Sequence, residues 1–314
     1  MSIITQQITG VVMTTAYFIL LCTIVELASQ KEKFRWSVRW PGILFGLLAP
    51  VFGIVVSLPL QMLWQSLGVP PLITLPFANW LGTAGAVGAG LLVVDFLMYW
   101  EHRFEHRFLW PVHAVHHSAE HLSAATSYSH PLQFVPAFLM ISLPMSLIDF
   151  GFAATPYFVA ATVFFLQLFI HSPVKFGFGP FRHLLVDPAF HRIHHSMEER
   201  HYDRNFSILF SFWDRIFGTQ VMPGKDEWPR VGIHEAASPR TVTELLALPF
   251  RLWNLLPTPT ADPEPKAALR EAAEAEVFLA KPHADFARIK NVNVRLRNLA
   301  CHSERDKETR RRWG

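Results

Sequence analysis

The sequence predicts an all-α protein, a multi-span integral membrane helical bundle that carries a histidine-rich, metal-binding cap on its cytoplasmic side. Composition supports this class, because 51% of the 314 residues are hydrophobic and only 17% are charged, whereas soluble domains carry about 25% charged residues. Five apolar segments approach the ~20 residues that cross a bilayer as a helix. Thirteen of the sixteen histidines fall between His102 and His201.

The apolar segments cover residues 8–27, 41–67, 80–100, 132–148 and 152–170. The first is interpreted as a retained span rather than a signal peptide, since no positively charged leader precedes it. Prolines in the second and fourth segments predict kinks, which neighbouring helices can accommodate. The last two segments could form a re-entrant hairpin, but two full spans are the expected arrangement.

The charge of the first loop predicts the orientation of these spans. It contains Lys31, Lys33, Arg35 and Arg39 against a single acid, Glu32. An excess of lysine and arginine marks the cytoplasmic side of a membrane. With five spans, both histidine-rich parts of the chain are then expected on the cytoplasmic face.

The same patterns predict three regions. Residues 1–79 are expected to form N-terminal spans, residues 80–220 the histidine-bearing domain and residues 221–314 a cytoplasmic extension. In the extension, residues 243–256 are predicted to lie on the membrane surface as an amphipathic helix. A proline-rich linker at 257–265, an alanine- and glutamate-rich helix and a basic tail follow. The formal net charge of +3 is mild, and no nucleic-acid partner is expected.

The histidines form three clusters at helical spacing and one isolated position. His102 and His106 lie four residues apart, which places two imidazoles on one helix face. The pattern His-x-x-His-His begins at His113 and again at His191, and His171 stands alone after the fifth apolar segment. So many imidazoles would be costly to bury without a common partner, so the clusters predict metal binding. Their number exceeds the three or four protein ligands of one site and fits two ions. Imidazole suits zinc, copper, iron and nickel, so the residues alone leave the metal open.

Asp95 is the remaining candidate in the spans. An acid inside a span is costly, so Asp95 is expected to be functional. It lies seven residues before His102, and we expect it to bond a ligand from another segment, or Tyr99, and to offset metal charge. His130 is expected to be structural or to line the substrate site. The role of His183 is left open. Five further isolated histidines are interpreted as structural: His121, His201, His234, His283 and His302.

The order of the clusters resembles the fatty acid hydroxylase and sterol desaturase superfamily, which includes alkylglycerol monooxygenases. Segments 95–103, 130–131 and 213–219 and Asn205 match as well, so the resemblance covers about residues 80–220. It implies that this region is the catalytic domain of a membrane non-haem di-iron enzyme. Such an enzyme uses dioxygen and external electrons to hydroxylate, desaturate or cleave a lipid, here a sterol, fatty-acyl or ether lipid in lipid biosynthesis.

Carried over to this sequence, the resemblance implies nine iron ligands: His102, His106, His113, His116, His117, His171, His191, His194 and His195. Zinc could replace iron during purification, because it competes well for imidazole. Two positions depart from the family pattern. Pro173 stands where the family often has asparagine, and Ser207 stands where a glycine is common. Neither position is a predicted ligand.

The expected partners are the bilayer, a lipid substrate and an electron-donor protein. The sequence has no haem-attachment motif, dinucleotide fingerprint or iron–sulfur cysteine cluster, so the electrons are expected from outside. Arg103, Arg107, Arg192 and the basic tail are expected to present the docking surface. Two other functions stay open: a metal-dependent hydrolase or isomerase, and a non-catalytic membrane metal-binding protein. Iron content and oxygen consumption distinguish them from an oxygenase.

Overall fold

The computed structural model describes six stretches of the chain: residues 3–29, 32, 36–75, 78–152, 155–174 and 177–255. The predicted proline-rich linker, the helix after it and the basic tail lie outside the described residues. Lys31, Lys33, Arg35, His283 and His302 lie outside them too. The orientation in the membrane depends mainly on the first three of these, and it stays a prediction.

Three long helices form the bundle: α1 (Ile3–Ala28), α2 (Trp36–Ser66) and α3 (Ala78–Phe108). In the described part of the chain, three stretches are long and apolar enough to cross a membrane: Ile8–Ala28, Arg39–Ser66 and Gly82–Phe108. Each has between 21 and 28 residues, which at ~1.5 Å per residue matches or exceeds the ~30 Å hydrocarbon core. The predicted helical class is confirmed, and the first three predicted spans are present as long apolar helices.

The fourth and fifth apolar segments are shorter. They form the apolar stretches Pro131–Ser146 and Thr155–Ile170, and α7 occupies the second over 16 residues. A helix of that length extends for only about 24 Å, less than the ~30 Å core. The described residues thus contain three helices with the length and composition of a complete span, where the sequence predicts five.

The first of these shorter stretches is broken into short elements: the 3₁₀ turn Pro131–Gln133, α5 (Phe134–Ala137), the π-helical turn Phe138–Ser142 and α6 (Leu143–Ser146). Prolines were predicted to kink this segment, and Pro136 and Pro144 lie on either side of the π-helical turn. Proline removes a backbone donor and crowds the preceding turn, which explains the irregular geometry. Two short parallel strands, β1 (Ile73–Thr74) and β2 (Ile148–Asp149), then join the turn before α7 to the loop after α2.

A buried ion pair joins the first two helices. Glu26 of α1 pairs with Arg39 of α2, and its other oxygen accepts the backbone N–H of Ala124 at 2.8 Å. Charges buried in apolar surroundings require such partners. The pair holds α1 and α2 against the 3₁₀ turn Ala124–Thr126, which follows the second histidine cluster.

Two short helices carry histidine clusters in the cap: α4 (Trp110–His117) and α8 (Pro188–His194). The start of α8 is defined by its cap, because Asp187 accepts the N–H of Phe190 at 2.9 Å and Pro188 occupies the first turn. α4 likewise has a proline in its first turn. Both helices therefore begin at defined positions, which fixes the direction in which their histidines point.

Two further helices follow in the described residues, α9 (Phe212–Ile216) and α10 (Val242–Leu252), and α10 corrects a prediction. The segment 243–256 was expected to lie on the membrane surface, but the helix packs its apolar face on the protein. Leu245 and Leu248 are buried in a cluster that includes Val115 of α4. An apolar stripe can be covered by protein as well as by lipid, and the pattern alone does not distinguish the two. α10 therefore covers the helix that bears the second histidine cluster.

Candidate metal centre

All nine histidines predicted as ligands come together in two groups. The five-histidine group is His102, His106, His113, His117 and His194. The four-histidine group is His116, His171, His191 and His195. Within each group, one nitrogen from each ring lies within 4.8 Å of the others. The neighbours His116 and His117 in α4 belong to different groups. The neighbours His194 and His195 at the end of α8 are divided in the same way.

The nitrogens of the four-histidine group are too crowded for ordinary hydrogen bonding. The Nε2 atoms of His171, His191 and His195 lie 3.2 Å apart in every pair. A neutral imidazole nitrogen carries either one hydrogen or one lone pair, so hydrogen bonds cannot close a triangle of three. Nitrogens that bind one ion at about 2.0–2.1 Å lie ~3.0–3.4 Å from one another. The triangle has the spacing of ligands around a shared ion.

The five-histidine group shows the same crowding. The Nε2 atoms of His102 and His113 are 3.0 Å apart, and those of His106 and His117 are 3.2 Å apart. Nε2 of His194 is buried without a hydrogen-bond partner among the described residues. Leaving a buried polar atom unpaired is costly. Both groups therefore fit a metal ion with imidazole ligands, a donor set suited to iron, zinc, copper or nickel.

Several rings are oriented by main-chain carbonyl groups through Nδ1. These contacts are His102 with Phe206 (2.8 Å), His116 with Tyr128 (3.0 Å), His171 with Gln167 (2.5 Å) and His194 with Arg204 (2.8 Å). A carbonyl oxygen only accepts, so each Nδ1 donates its hydrogen and each Nε2 keeps a free lone pair. Contacts of this kind fix the tautomer and orientation of metal-binding histidines.

Burial keeps the cluster histidines of the cap uncharged. It lowers the pKa of His116 to about 4. Burial, together with neighbouring imidazoles, holds the pKa of His113, His117, His194 and His195 well below the usual range. These rings are unprotonated at neutral pH, which is the form that binds a metal.

A buried carboxylate contacts one of these rings. Oε2 of Glu105 lies 2.6 Å from Nδ1 of His113, and the Glu105 side chain is only 3% exposed. The same oxygen accepts a hydrogen bond from Nε2 of Gln133 at 2.8 Å. Glu105 was not predicted from the sequence. The signal that could have found it is its place inside the first cluster, three residues after His102.

Asp95 binds the backbone, in contrast to the expected bond with a ligand or Tyr99. Its two oxygens accept the N–H groups of Leu209 and Phe210 at 2.9 and 2.8 Å. The Tyr99 hydroxyl instead lies 2.8 Å from the hydroxyl of Thr219. Asp95 can be buried in α3 because two consecutive backbone N–H groups donate to its carboxylate.

The loop held by Asp95 also carries a contact of the five-histidine group. Asp214 accepts the N–H groups of Phe206 and Ser207 at 2.7 and 2.9 Å. The carbonyl of Phe206 then accepts the Nδ1 hydrogen of His102. Any influence of Asp95 on the histidines passes through the backbone of this loop.

Two isolated histidines have structural surroundings. His130 caps the 3₁₀ turn that follows it, which agrees with a structural role. His201 lies with Glu198 and Glu227 in a third group of possible metal-binding side chains. Arg200 already donates to both carboxylates, at 2.8 and 2.5 Å. A positively charged side chain therefore fills the role of a cation there.

Arg192 is not available for docking, in contrast to the prediction. It is buried, donates through Nε to the carbonyl of Pro229 at 2.8 Å and pairs with Glu32 at 2.9 Å. Its guanidinium also lies 4.3 Å from the centre of the Trp228 ring. The residue follows His191 directly, and these contacts fix α8 rather than present a charge to solvent.

The fatty acid hydroxylase family model matches residues 87–219, the range that contains both histidine groups. The match covers 133 of the 314 residues and agrees with the predicted resemblance to the fatty acid hydroxylase and sterol desaturase superfamily. An alkylglycerol monooxygenase of Danio rerio is 35% identical over 132 residues, which are 41% of this chain and 29% of that protein. An ornithine lipid hydroxylase of Rhizobium tropici is 30% identical over 149 residues, 46% of this chain and 44% of that protein.

A third relative is a putative methylsterol monooxygenase of Dictyostelium discoideum, 25% identical over 207 residues, 60% of this chain and 69% of that protein. The chain spans less than half the length of the first two relatives. No solved structure matches the chain. The match to this family and the three long apolar helices together indicate an integral membrane protein.

Proposed function

We propose that the chain is a membrane-bound di-iron oxidoreductase that uses dioxygen to hydroxylate or desaturate a lipid. The observation that carries the proposal is the pair of adjacent histidine groups, with nine rings at ligand spacing. The names of the relatives support the same reaction class, since they are an alkylglycerol monooxygenase, an ornithine lipid hydroxylase and a methylsterol monooxygenase.

Two iron ions would be held by the five-histidine and four-histidine groups. When bound, the iron pair would supply the change of oxidation state that activates dioxygen, which redox-inert zinc cannot supply. The chain's own residues bind and orient. Backbone carbonyls hold four rings with Nε2 free, and burial lowers the pKa of the imidazoles in α4 and at the end of α8, which keeps them neutral.

The centre is also shielded from water. The Phe206 ring packs at 4.9 Å from the ring of His106, at 5.4 Å from that of His102 and at 5.6 Å from that of His194. Eight of the nine rings belong to buried residues, and the side chain of His106 is only 8% exposed. A dry site limits side reactions with solvent while an unreactive C–H bond is attacked.

The lipid would approach from the membrane side. His102 lies near the end of α3, and His171 directly follows α7. Both apolar helices thus deliver a ring from the bundle to the centre, so a substrate chain between them would reach it without leaving the bilayer. In this proposal residues 80–220 form the catalytic domain, between the N-terminal spans (1–79) and the extension (221–314). The electrons come from a separate donor protein.

Anaerobic iron loading and lipid analysis test the function. The purified protein should bind about two iron ions, and cells with the chain should contain an oxidised lipid that is absent without it. Product formation should consume dioxygen. A changed lipid without oxygen consumption would favour a hydrolase or isomerase. Two bound metals with unchanged lipids would favour a non-catalytic metal-binding protein.

The orientation has its own test. Glu120 and Tyr202 are exposed and lie three and seven residues after the second and third histidine clusters, so Glu120→Cys and Tyr202→Cys should react with a membrane-impermeant thiol reagent from the cytoplasmic side only. Cys22 is buried, and Cys301→Ser provides the background. Labelling of the two introduced cysteines from opposite sides would contradict a shared cytoplasmic face.

A further inference from the structure

The two histidine groups differ in the hydrogen-bond partners of Nδ1, the ring nitrogen opposite the clustered Nε2 atoms. In the four-histidine group, Nδ1 of His116 and of His171 binds a backbone carbonyl, and Nδ1 of His191 and of His195 has no hydrogen-bond partner among the described residues. In the five-histidine group, one Nδ1 meets a buried carboxylate.

We propose that Glu105 is a positioning residue that acts through His113 and makes the five-histidine site chemically different from the four-histidine site. The inference rests on the proposed function, because it requires an ion in each group. Imidazole ligands are neutral, so they leave the charge of a bound ion uncompensated. A carboxylate that accepts the Nδ1 hydrogen of a ligating histidine fixes the ring and raises its basicity. Glu105 supplies such a carboxylate to one ion only.

Gln133 determines which acceptor the Nδ1 hydrogen of His113 meets. Oε1 of Gln133 accepts the N–H of His130 at 3.0 Å, so its amide nitrogen faces the other way. That nitrogen donates to Glu105 at 2.8 Å and lies 2.9 Å from Nδ1 of His113. An amide nitrogen cannot accept, so the Nδ1 hydrogen of His113 is directed to Glu105. Nε2 of His113 is then left with its lone pair toward the group.

The contact is protected from solvent. The side chains of His113 and Glu105 are 5% and 3% exposed. The other carboxylate near this group, Asp203, lies 3.3 Å from Nδ1 of His106 but is 77% exposed. Charge interactions are screened in water and strong in a buried site. Among the described carboxylates that contact a ring of either group, Glu105 is the buried one.

The test is a titration of the full-length protein with Fe²⁺ under anaerobic conditions against a competing chelator. Glu105→Gln keeps an acceptor for His113 and removes the charge. One of the two iron affinities should fall by ~10–100-fold, the range for groups that support a metal ligand, while the other stays unchanged. Mössbauer spectra of the ⁵⁷Fe-loaded protein should show a change in one of two iron signals.

Glu26→Gln is the matched control, because Glu26 is also a buried glutamate but contacts Arg39 and the backbone N–H of Ala124 in place of a histidine. It should not weaken one iron site relative to the other. Gln133→Met keeps Glu105 but removes the amide that directs it, and should weaken the same site as Glu105→Gln by a smaller factor. This variant also tests the idea if Glu105→Gln does not fold, which thermal unfolding of the metal-free protein would reveal.

The outcomes separate the two proposals. A native protein that does not bind two iron ions would overturn the proposed function. If the native protein binds two iron ions and Glu105→Gln has the native affinities and spectra, the inference about Glu105 is overturned and the proposed function stands. Equal weakening of both sites by Glu105→Gln would also overturn it, since a general loss of structure has that effect.

Discussion

The five-histidine and four-histidine groups share their helices but are supported by different parts of the chain. α4 and α8 contribute rings to both. The five-histidine group adds two rings from α3, contacts the buried Glu105 and reaches the surface where His106 meets Asp203. The four-histidine group adds His171, which follows α7, and its known Nδ1 acceptors are main-chain carbonyls.

This comparison shows that identical ligands need not make equivalent sites. Nine imidazoles provide one kind of donor, so any difference between the two sites must come from the groups behind the rings. Backbone carbonyls contact rings in both groups, whereas among the described residues side-chain carboxylates contact rings of the five-histidine group alone. Substitutions can therefore alter one group, both groups or neither, and each case gives a prediction.

The largest effect is expected from His171→Ala. Nε2 of His171 lies 3.2 Å from the Nε2 atoms of the other three members of its group. Its loss should reduce bound iron from about two ions to about one and lower lipid turnover by more than ~100-fold, beyond the range for supporting groups. Metal analysis and turnover assays measure both. Retention of two tightly bound ions would show that His171 is not a ligand.

Arg192→Met should weaken both groups together. The buried guanidinium pairs with Glu32 and fixes α8, which supplies His194 to one group and His191 to the other. We expect both iron affinities to fall by similar factors, about tenfold, and the unfolding free energy to fall by about 1–3 kcal/mol for the lost charged hydrogen bond. The two-site iron titration and thermal unfolding measure these changes.

Arg200→Met is the control for this variant, because Arg200 pairs with two acids but its side chain is 64% exposed. It should change iron affinity little. If Arg192→Met weakened one site and spared the other, α8 would not connect the two groups as the comparison requires.

Asp95→Asn should destabilise the loop that contains Leu209 and Phe210 and leave the number of bound iron ions unchanged. Asparagine keeps one acceptor, so one of the N–H groups of Leu209 and Phe210 loses its partner, at about 1–3 kcal/mol of stability. Bound iron should stay near two ions, and turnover should fall about tenfold, the low end for supporting groups. Thermal unfolding, iron content and lipid turnover test this. Native turnover with native stability would exclude a role for Asp95 in the centre.

Asp203→Asn should have the smallest effect. Asp203 contacts His106 from an exposed position, and exposed ion pairs contribute little. Iron affinity at the five-histidine site should change by less than about fivefold. A loss as large as that of Glu105→Gln would mean that burial does not decide which carboxylate matters. The same two-site titration measures both variants.

The sequence predicted the local features of the centre better than its distant contacts. Helical spacing accounts for the shared direction of rings within each cluster, because residues three and four apart share a helix face. The resemblance supplied the full set of nine histidines, including the isolated His171, and the structure brings all nine together in two groups. Asp95 was singled out correctly as a buried acid, but its partners lie more than 100 residues away in the chain. No local pattern reports such contacts.

The same limit explains the other differences. The Arg192–Glu32 pair joins residues 160 positions apart, so a cation next to a ligand histidine could be mistaken for a surface charge. α10 has an apolar face, but only the tertiary structure shows that protein covers it. The span count differs because composition marks five apolar segments, whereas helix length in the structure distinguishes three from two.

The carbonyl acceptors of the centre have a consequence for how the protein can change over generations. Phe206, Tyr128, Gln167 and Arg204 each contribute a main-chain oxygen to a histidine, and every amino acid carries that oxygen. A codon change at any of these positions replaces the side chain and keeps the acceptor. The hydrogen bonds that orient these rings therefore do not depend on the side chains at the four positions, although the Phe206 ring also packs on three of the histidines. A chain built in this way can acquire a new substrate preference while its histidines keep their arrangement.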